Sequence, residues 1–529
     1  MTRYRDLITD ENRKWWTLGA MCFALFMIML DNTVVNVALP SIQRDLNASL
    51  SSLEWTVNAY TLSFAVLLVT GGRLGDIFGR RRVFTFGVVL FAGSSALIGL
   101  APDQAWLVAG RAVQGMGAAF MMPGTLSIIS NTFAPHERGR AIGTWAGVSA
   151  LALAAGPAVG GALTEYVSWR AIFFLNLPVA VGAVVVTLFA TRESRDPTVD
   201  HSVDYPGIAA LSVGLTALVL SLVEGNRWGW GSTGIVALLA TAVVALVLFA
   251  YVELRGRTPM IQFEYLRSRS FAGASAVAFI VSFAMLAMFF FMALYMQNIL
   301  QYSPLEAGIR FLPSTVVIIV AAPIAGRLAD RVGPRPLIVV GMSLAAFALY
   351  LQSRVDVHTG YAELLPAFSL MGLGMGLTMS PMSTAGMNAV TPEKAGAASG
   401  ILSMFRMVGG TFGVAAIGAL FQSLASTRID ERLAGLHLPA GVRSGIVDNL
   451  GSGAGSKMLD GMDPHRAAQV GSAMHDAFIH ALSGALTLSC VVAALGAVLA
   501  LVLIEPMRKQ ARHADPAQSA SAAEPLGAS

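Results

Sequence analysis

Fourteen mainly apolar runs of about 20 residues succeed one another along this chain, and that feature removes most folds from consideration. A helix needs about 20 apolar residues to cross the roughly 30 Å hydrocarbon core of a bilayer. The runs cover 16–39, 52–71, 83–101, 105–129, 139–164, 170–190, 206–224, 232–252, 271–299, 306–326, 335–352, 363–389, 397–423 and 477–504. A length of 529 residues alone would suggest about three or four soluble domains, but the runs overrule that expectation. Only 12% of residues are charged, against roughly 25% in a soluble globular chain, so most of the surface does not face water. The expected fold class is an all-α membrane protein with the lipid bilayer as its first partner.

The loops set its orientation. An even number of spans places both ends on one side, and positive charge in short loops stays cytoplasmic. With the N-terminus inside, the cytoplasmic segments hold Arg3, Arg5, Arg13, Lys14, Arg73, Arg80–Arg82, Arg138, Arg140, Arg192 and Arg195. They also hold Arg255, Arg257, Arg267, Arg269, Arg327, Arg331, Arg335, Lys394, Arg508, Lys509 and Arg512. That makes roughly 23 basic residues against about 5 in the short loops opposite (Arg44, Arg170, Arg227, Arg310, Arg354). Both termini are expected in the cytoplasm, in a bacterial inner membrane. The net charge of +4 is spread through these clusters, so no nucleic-acid surface is expected. Cys22 and Cys490 lie inside apolar runs, far apart in sequence, which argues against a disulfide framework. The first run follows Trp15 and Trp16, lacks a small-residue cleavage site and reads as a retained helix. Residues 424–476 read as one long external loop, and 510–529 as a disordered tail rich in Ala, Ser and Pro.

An internal repeat divides the chain. Gly72-Arg73-Leu74-Gly75-Asp76, followed by Gly79 and Arg80, recurs as Gly326-Arg327-Leu328-Ala329-Asp330 followed by Gly333. Pro135, Glu137 and Gly139 are echoed one interhelical loop further on by Pro392, Glu393 and Gly396. Matching sites at near-constant offset imply two homologous six-helix bundles, 1–195 and 261–509, with two further helices in 196–260.

Four motifs in order give the chain a resemblance. They are Leu30-Asp31-Asn32-Thr33-Val34-Val35-Asn36-Val37-Ala38-Leu39-Pro40, the run from Gly71 to Arg82, Arg111-Ala112-Val113-Gln114-Gly115-Met116-Gly117, and Gly156-Pro157-Ala158-Val159-Gly160-Gly161. With them the chain resembles the major facilitator superfamily, and more narrowly its fourteen-helix drug:proton antiporter branch. The resemblance covers nearly the whole length. It implies a major facilitator fold and proton-coupled export of a small amphipathic substrate, with Asp31, Arg111 and Gln114 in the coupling. It also associates Gly156, Pro157, Gly160 and Gly161 with antiporters.

The residues have their own chemistry beside that resemblance. Asp31 is the only acidic residue deep in the first span, where a carboxylate costs several kcal/mol unless it serves a pathway or a proton. At 1.5 Å per residue it lies about 22 Å up from Trp16, and Arg111 lies about 9 Å down from Ala105, so the two share a depth. Proton sharing, substrate contact by Asp31 and a purely structural ion pair are all compatible with that placement. Gly72, Asp76, Gly79, Arg80 and the repeat-mate Asp330 form a candidate conformational latch. In it Asp76 would accept from backbone N–H groups at a helix N-terminus and from arginines across the seam. Asn36, Met292, Tyr295 and Arg406 are the candidate cavity residues. Met292 and Tyr295 belong to a soft Met- and Phe-rich stretch that suits varied ligands or plain packing. Arg406 would hold an anionic group, balance Asp31 or be capped by carbonyls. Helices nine to thirteen hold no deep carboxylate, which sets the chain apart from exporters specialised for cations. No phosphate-cradling loop ending in Gly-Lys-Ser/Thr, metal-ligand spacing or Ser/His/Asp constellation is present, so no ATP, metal, cofactor or enzymatic activity is expected. A monomer is the expected state.

Overall fold

The computed structural model describes residues 9, 12–133, 135–195, 204–256, 264–390, 395–433 and 464–506. The helices are α1 (Arg13–Leu46), α2 (Leu50–Phe78), α3 (Arg80–Gly99), α4 (Gln104–Thr132) and α5 (Pro135–Tyr166). A broken span follows, α6 (Trp169–Phe174) with α7 (Asn176–Ala190), then α8 (Tyr205–Trp228) and α9 (Thr233–Arg255). The second half comprises α10 (Glu264–Arg267), α11 (Arg269–Leu294) with a π-helical turn at Tyr295–Ile299, α12 (Pro304–Val332) and α13 (Pro334–Gln352). It ends with α14 (Tyr361–Met387), α15 (Ala395–Leu433) and α16 (Pro464–Leu503). Among the described residues, twelve helices are long and apolar enough to span, and α2, bent by 49° near Val69, makes thirteen. The 32-residue α5 occupies the remaining expected run.

Polar side chains at the helix starts explain where the spans begin. Asp103 accepts from the Trp106 N–H (2.8 Å), Asp204 from the Gly207 N–H (2.9 Å), and Ser303 forms a capping box with Glu306. Gly79 (φ +111°) and Gly333 (φ +86°) occupy equivalent turns after α2 and α12. A side chain at either would be strained, which accounts for a glycine at the same place in each repeat.

The same helix pairs pack in each half: α2 with α4 and α12 with α14, α1 with α5 and α11 with α15, α3 with α7 and α13 with α16. Two six-helix bundles result. α1 and α11 are central, with 78% and 89% of their most apolar window buried, whereas α9 is peripheral at 22%. α5 against α12 and α2 against α15 form the seam between bundles. α8, by contrast, lies against both α2 and α15.

The segment 424–476, expected as an external loop, is helical at both ends: α15 continues to Leu433 and α16 already begins at Pro464. Asp476 explains the extension, since its carboxylate accepts from Arg428 (2.7 Å) and Arg432 (2.9 Å) and ties the two helices beyond their apolar parts. Residues 434–463, the expected tail 510–529 and the side chain of Asp330 lie outside the described residues.

Candidate functional site

Asp31 and Arg111 are each almost completely buried, at 1% and 2% exposure. Arg111 Nη1 donates to Asp31 Oδ2 and also to Gln114 Oε1 (2.6 Å), while Gln114 Nε2 donates to Asp31 Oδ1 (3.0 Å). The ring of contacts extends outward. Arg111 Nε donates to the Thr56 carbonyl (2.9 Å), Gln114 Nε2 to Ser95 Oγ (2.8 Å), and Asn176 Nδ2 to the same Ser95 oxygen (3.2 Å). The guanidinium also lies 4.3 Å from the Tyr60 ring centre, a stabilising stacking geometry when both groups are dry. Thus five helices of the N-terminal bundle position one carboxylate. The guanidinium has acceptors other than Asp31, so neutralising the acid would not strand the arginine.

The next turns of α1 meet α5. A Cβ on Gly156 would overlap Thr33 Oγ1, and one on Gly160 would come within 2.7 Å of the Val34 carbonyl. The opposite face of α5 meets the other bundle, where a Cβ on Gly161 would approach the Pro304 carbonyl to 2.5 Å. Gly308 of α12 in turn sits against the Pro157 carbonyl. Hydrogen bonds cross the seam nearby: the Leu305 N–H donates to Glu165 (2.9 Å) and Gln297 Nε2 to the Val37 carbonyl (2.8 Å). Thr411 donates to Thr61 (2.6 Å) and Gln422 to Glu54 (3.4 Å). The Leu305, Gln297 and Gln422 bonds lie toward the end of the bundles opposite the chain termini, with Thr61–Thr411 deeper.

The sequence profile described as Major Facilitator Superfamily matches residues 21–414, most of the chain. The chain belongs to the major facilitator superfamily. Similar curated relatives are the tetracenomycin C resistance and export protein of Streptomyces glaucescens, 35% identical across 93% of this chain and 92% of its own. Another is the puromycin resistance protein pur8 of Streptomyces alboniger, 39% identical across 78% of this chain and 82% of its own. A third is the multidrug resistance protein Stp of Mycobacterium tuberculosis, 35% identical across 79% of this chain and 78% of its own. Among solved structures, a bacterial homolog to the human lysosomal transporter Spinster, in an inward-facing and occupied conformation, shares the fold with a TM-score of 0.64. It is 17% identical and covers 95% of this chain and 99% of its own. As a major facilitator the protein is a multi-pass membrane transporter and not an enzyme.

At the α2–α3 turn of this facilitator the contacts differ from the expected latch. Asp76 Oδ1 accepts from Arg80 Nε (2.9 Å) and Nη2 (2.8 Å), one turn away in its own bundle. The N-terminus of α3 is satisfied by the chain leaving α7: Glu193 accepts from the Arg81 N–H (3.0 Å), and the Ser194 carbonyl from the Arg80 N–H (3.0 Å). The sharp Gly79 turn folds Arg80 back onto Asp76 and leaves the N–H groups to Glu193 and the Ser194 carbonyl. Gly72 lies beside Pro123 of α4, at ordinary contact distance for a Cβ (3.4 Å). Gly79→Ala would combine a positive φ with a Cβ 2.7 Å from the Glu193 carboxylate. The expected loss is about 1–3 kcal/mol, read as a lowered thermal unfolding midpoint in detergent; an unchanged midpoint would contradict the turn geometry.

The candidate cavity residues lie on α1 (Asn36), α11 (Met292), the π-helical turn (Tyr295) and α15 (Arg406). Tyr295 is fully buried, and its hydroxyl donates to the Asp356 carbonyl (2.6 Å) in the loop after α13, inside the C-terminal bundle. Hydrogen bonds from the backbone N–H of His358 and from Thr359 hold the Asp356 carboxyl below its usual range, so this loop is a compact cap. Met292 is fully buried, and its neighbours Phe290 and Phe291 stack into the bundle core with Phe421 and Phe478. Asn36 donates to the Asn32 carbonyl (3.1 Å) and leaves its buried Oδ1 unpartnered. Arg406 is half-buried on α15. Sequence reasoning missed Thr56, Tyr60, Ser95, Asn176 and Glu193. Polar residues within apolar spans were the available signal for Ser95 and Asn176, whereas Thr56 takes part only through its backbone.

Proposed function

We propose that this facilitator is a proton-coupled antiporter that exports amphipathic drugs or toxic compounds by alternating access. We place it in a bacterial inner membrane with both ends in the cytoplasm, as the distribution of Lys and Arg favours. The single observation behind the coupling is the Asp31–Arg111–Gln114 network, a dry carboxylate whose cationic partner has acceptors in reserve. When Asp31 takes a proton, Arg111 falls back on Gln114 and the Thr56 carbonyl, and the repacking of α1 against α4 is felt at the α1–α5 glycine contact. Protonation from outside favours the state that releases substrate, and deprotonation toward the cytoplasm resets it. The seam bonds opposite the termini support an inward-facing state for the present conformation. Asp76, Arg80, Gly72 and Gly79, with Asp330, govern the cytoplasmic end in this reading, and Asn36 and Arg406 offer polar contacts to substrate. Relatives named for resistance to or export of antibiotics support outward transport of drugs.

Everted membrane vesicles with an acidic lumen test this reading. A panel of dyes and antibiotics should include compounds that accumulate only while the pH gradient stands and leak out when a protonophore collapses it. Equal accumulation with and without the gradient across the panel would overturn the antiport assignment. A second reading, a dedicated exporter of one endogenous metabolite, is favoured by similarity over 93% of the chain to a protein named for both resistance to and export of a single compound. A one-compound profile in the same panel would select it.

A further inference from the structure

A second buried carboxyl sits on α2, outside the Asp31 network. Glu54 is 0% exposed; its Oε1 receives one long hydrogen bond from Gln422 (3.4 Å), and its Oε2 has no partner. Gly418 of α15 makes room for it, since a Cβ there would lie 2.5 Å from the Glu54 carboxyl carbon. Asn58, one helical turn along α2 and equally buried, has both amide atoms unpartnered, so one face of α2 at the seam holds successive unsatisfied polar groups.

The charges around Glu54 can be named element by element. α8 offers Glu224 and Arg227; Glu224 accepts from Ser51 (2.8 Å) and pairs with Arg227 (3.3 Å), so that arginine is already engaged. α15 carries no charged side chain between Arg406 and Arg428 and presents Gln422. α4 contributes Arg111, committed to Asp31, Gln114 and the Thr56 carbonyl, and α2 itself adds Arg73 and Asp76 more than four turns away. Glu54 therefore faces a second carboxylate in a dry seam with one oxygen bare. An ionised carboxylate left so would cost several kcal/mol, whereas a carboxylic acid would not.

We propose that Glu54 is a second proton-binding group of this transporter, loaded while the α2–α15 seam is closed and exchanged with external water when the seam parts. The proton adds to the carboxylate as the seam dries and leaves to water as it wets, so the step balances with no other reactant. α8 is the sensing element, because it touches both sides of the seam: Glu224 accepts from Ser51 of α2, and Asn226 donates to the Ala419 carbonyl of α15. α8, one of the two helices between the bundles, thereby gains a role, which is to hold Glu224 and its charge beside Glu54 only while the seam is closed.

The test uses full-length protein in nanodiscs and infrared spectroscopy at neutral pH. The wild type should show a carboxylic-acid carbonyl band that shifts in heavy water. Glu54→Gln should remove that band and Asp31→Asn should retain it. A wild type without the band, or a band that survives Glu54→Gln, overturns the proposal. If Glu54→Gln fails to fold, Glu224→Gln takes its place; with the neighbouring charge gone the band should vanish at lower pH than in wild type, and an unchanged titration overturns the inference. A transport arm rests on the antiport reading. In everted vesicles Glu54→Gln should lower gradient-driven accumulation about tenfold, within the ordinary range of coupling between sites, while gradient-free substrate exchange persists. Undiminished accumulation refutes the exchange step. A wild type indifferent to the gradient refutes antiport instead, and the infrared result still decides Glu54.

Discussion

Asp31→Asn is expected to insert and fold yet to lose pH-gradient-driven efflux down to the background of vesicles without transporter. The substitution keeps the size of the side chain and one oxygen, which can accept from Arg111 while its NH2 group replaces the oxygen that faced Gln114, and it removes the group that changes charge. Arg111, 2% exposed, then keeps a full charge with no counter-ion, so some stability is lost as well. Removing one partner of a buried pair costs about 3–5 kcal/mol, and the retained hydrogen bonds should hold the loss below that. A double variant separates the two effects. Asp31→Asn with Arg111→Gln removes both charges, and replacing a buried pair by neutral groups is often neutral or stabilising. Its unfolding midpoint should recover toward wild type while gradient-driven efflux stays absent. Efflux by Asp31→Asn that still follows the gradient would remove Asp31 from the coupling, and recovery of transport in the double variant would reduce the pair to scaffolding.

The second large effect concerns two adjacent glycines that should fail in different ways. Gly160 faces α1 within its own bundle, and Gly161 faces α12 across the seam. Gly160→Ala pushes a methyl group against the Val34 carbonyl, in a contact inside one bundle that a rigid-body movement of the two bundles would preserve. Overpacking of that kind costs about 1–3 kcal/mol and should appear as a lower unfolding midpoint. Gly161→Ala meets the Pro304 carbonyl only while the seam is closed at this end. The same strain then shifts the balance of states toward the one open there, by roughly 5–150-fold, with little change in unfolding. Spin labels on α5 and α12 near these glycines should report longer distances in Gly161→Ala and unchanged ones in Gly160→Ala. Efflux should fall in both. Identical distance distributions for the two variants would show that α5 does not separate a packing face from a gating face.

Much of this architecture was legible along the chain. Bilayer thickness is a one-dimensional constraint, so spans could be counted, and the glycine-rich turns at Gly79 and Gly333 marked the repeat because only glycine tolerates their φ. Depth follows from residue number in a helix that crosses the membrane, which is why Asp31 and Arg111 fell at one level before their side chains were seen in contact. Azimuth does not follow. The apolar residues of α1 and α11 are spread around the whole helix, and lipid is as apolar as a helix neighbour, so no binary pattern tells which face meets which partner. For that reason the sequence leaves Tyr295 open to ligand contact or packing, whereas the structure bonds it to the Asp356 carbonyl, and the sequence gives no sign that the N–H groups of α3 meet Glu193 and the Ser194 carbonyl.

What the sequence determined by itself was therefore the set of spanning helices, the twofold repeat and the common level of Asp31 and Arg111, because hydrophobic length and rise per residue need no knowledge of neighbours. Only the tertiary structure decided that Ser95, Asn176 and the Thr56 carbonyl complete the Asp31 network, and that α5 presents one glycine face to each bundle. It also decided that Glu54 and Glu224, far apart in the chain, share one seam. Those facts depend on the rotation of each helix about its axis, which in a membrane is set by close packing and polar contacts rather than by a divide between water and core.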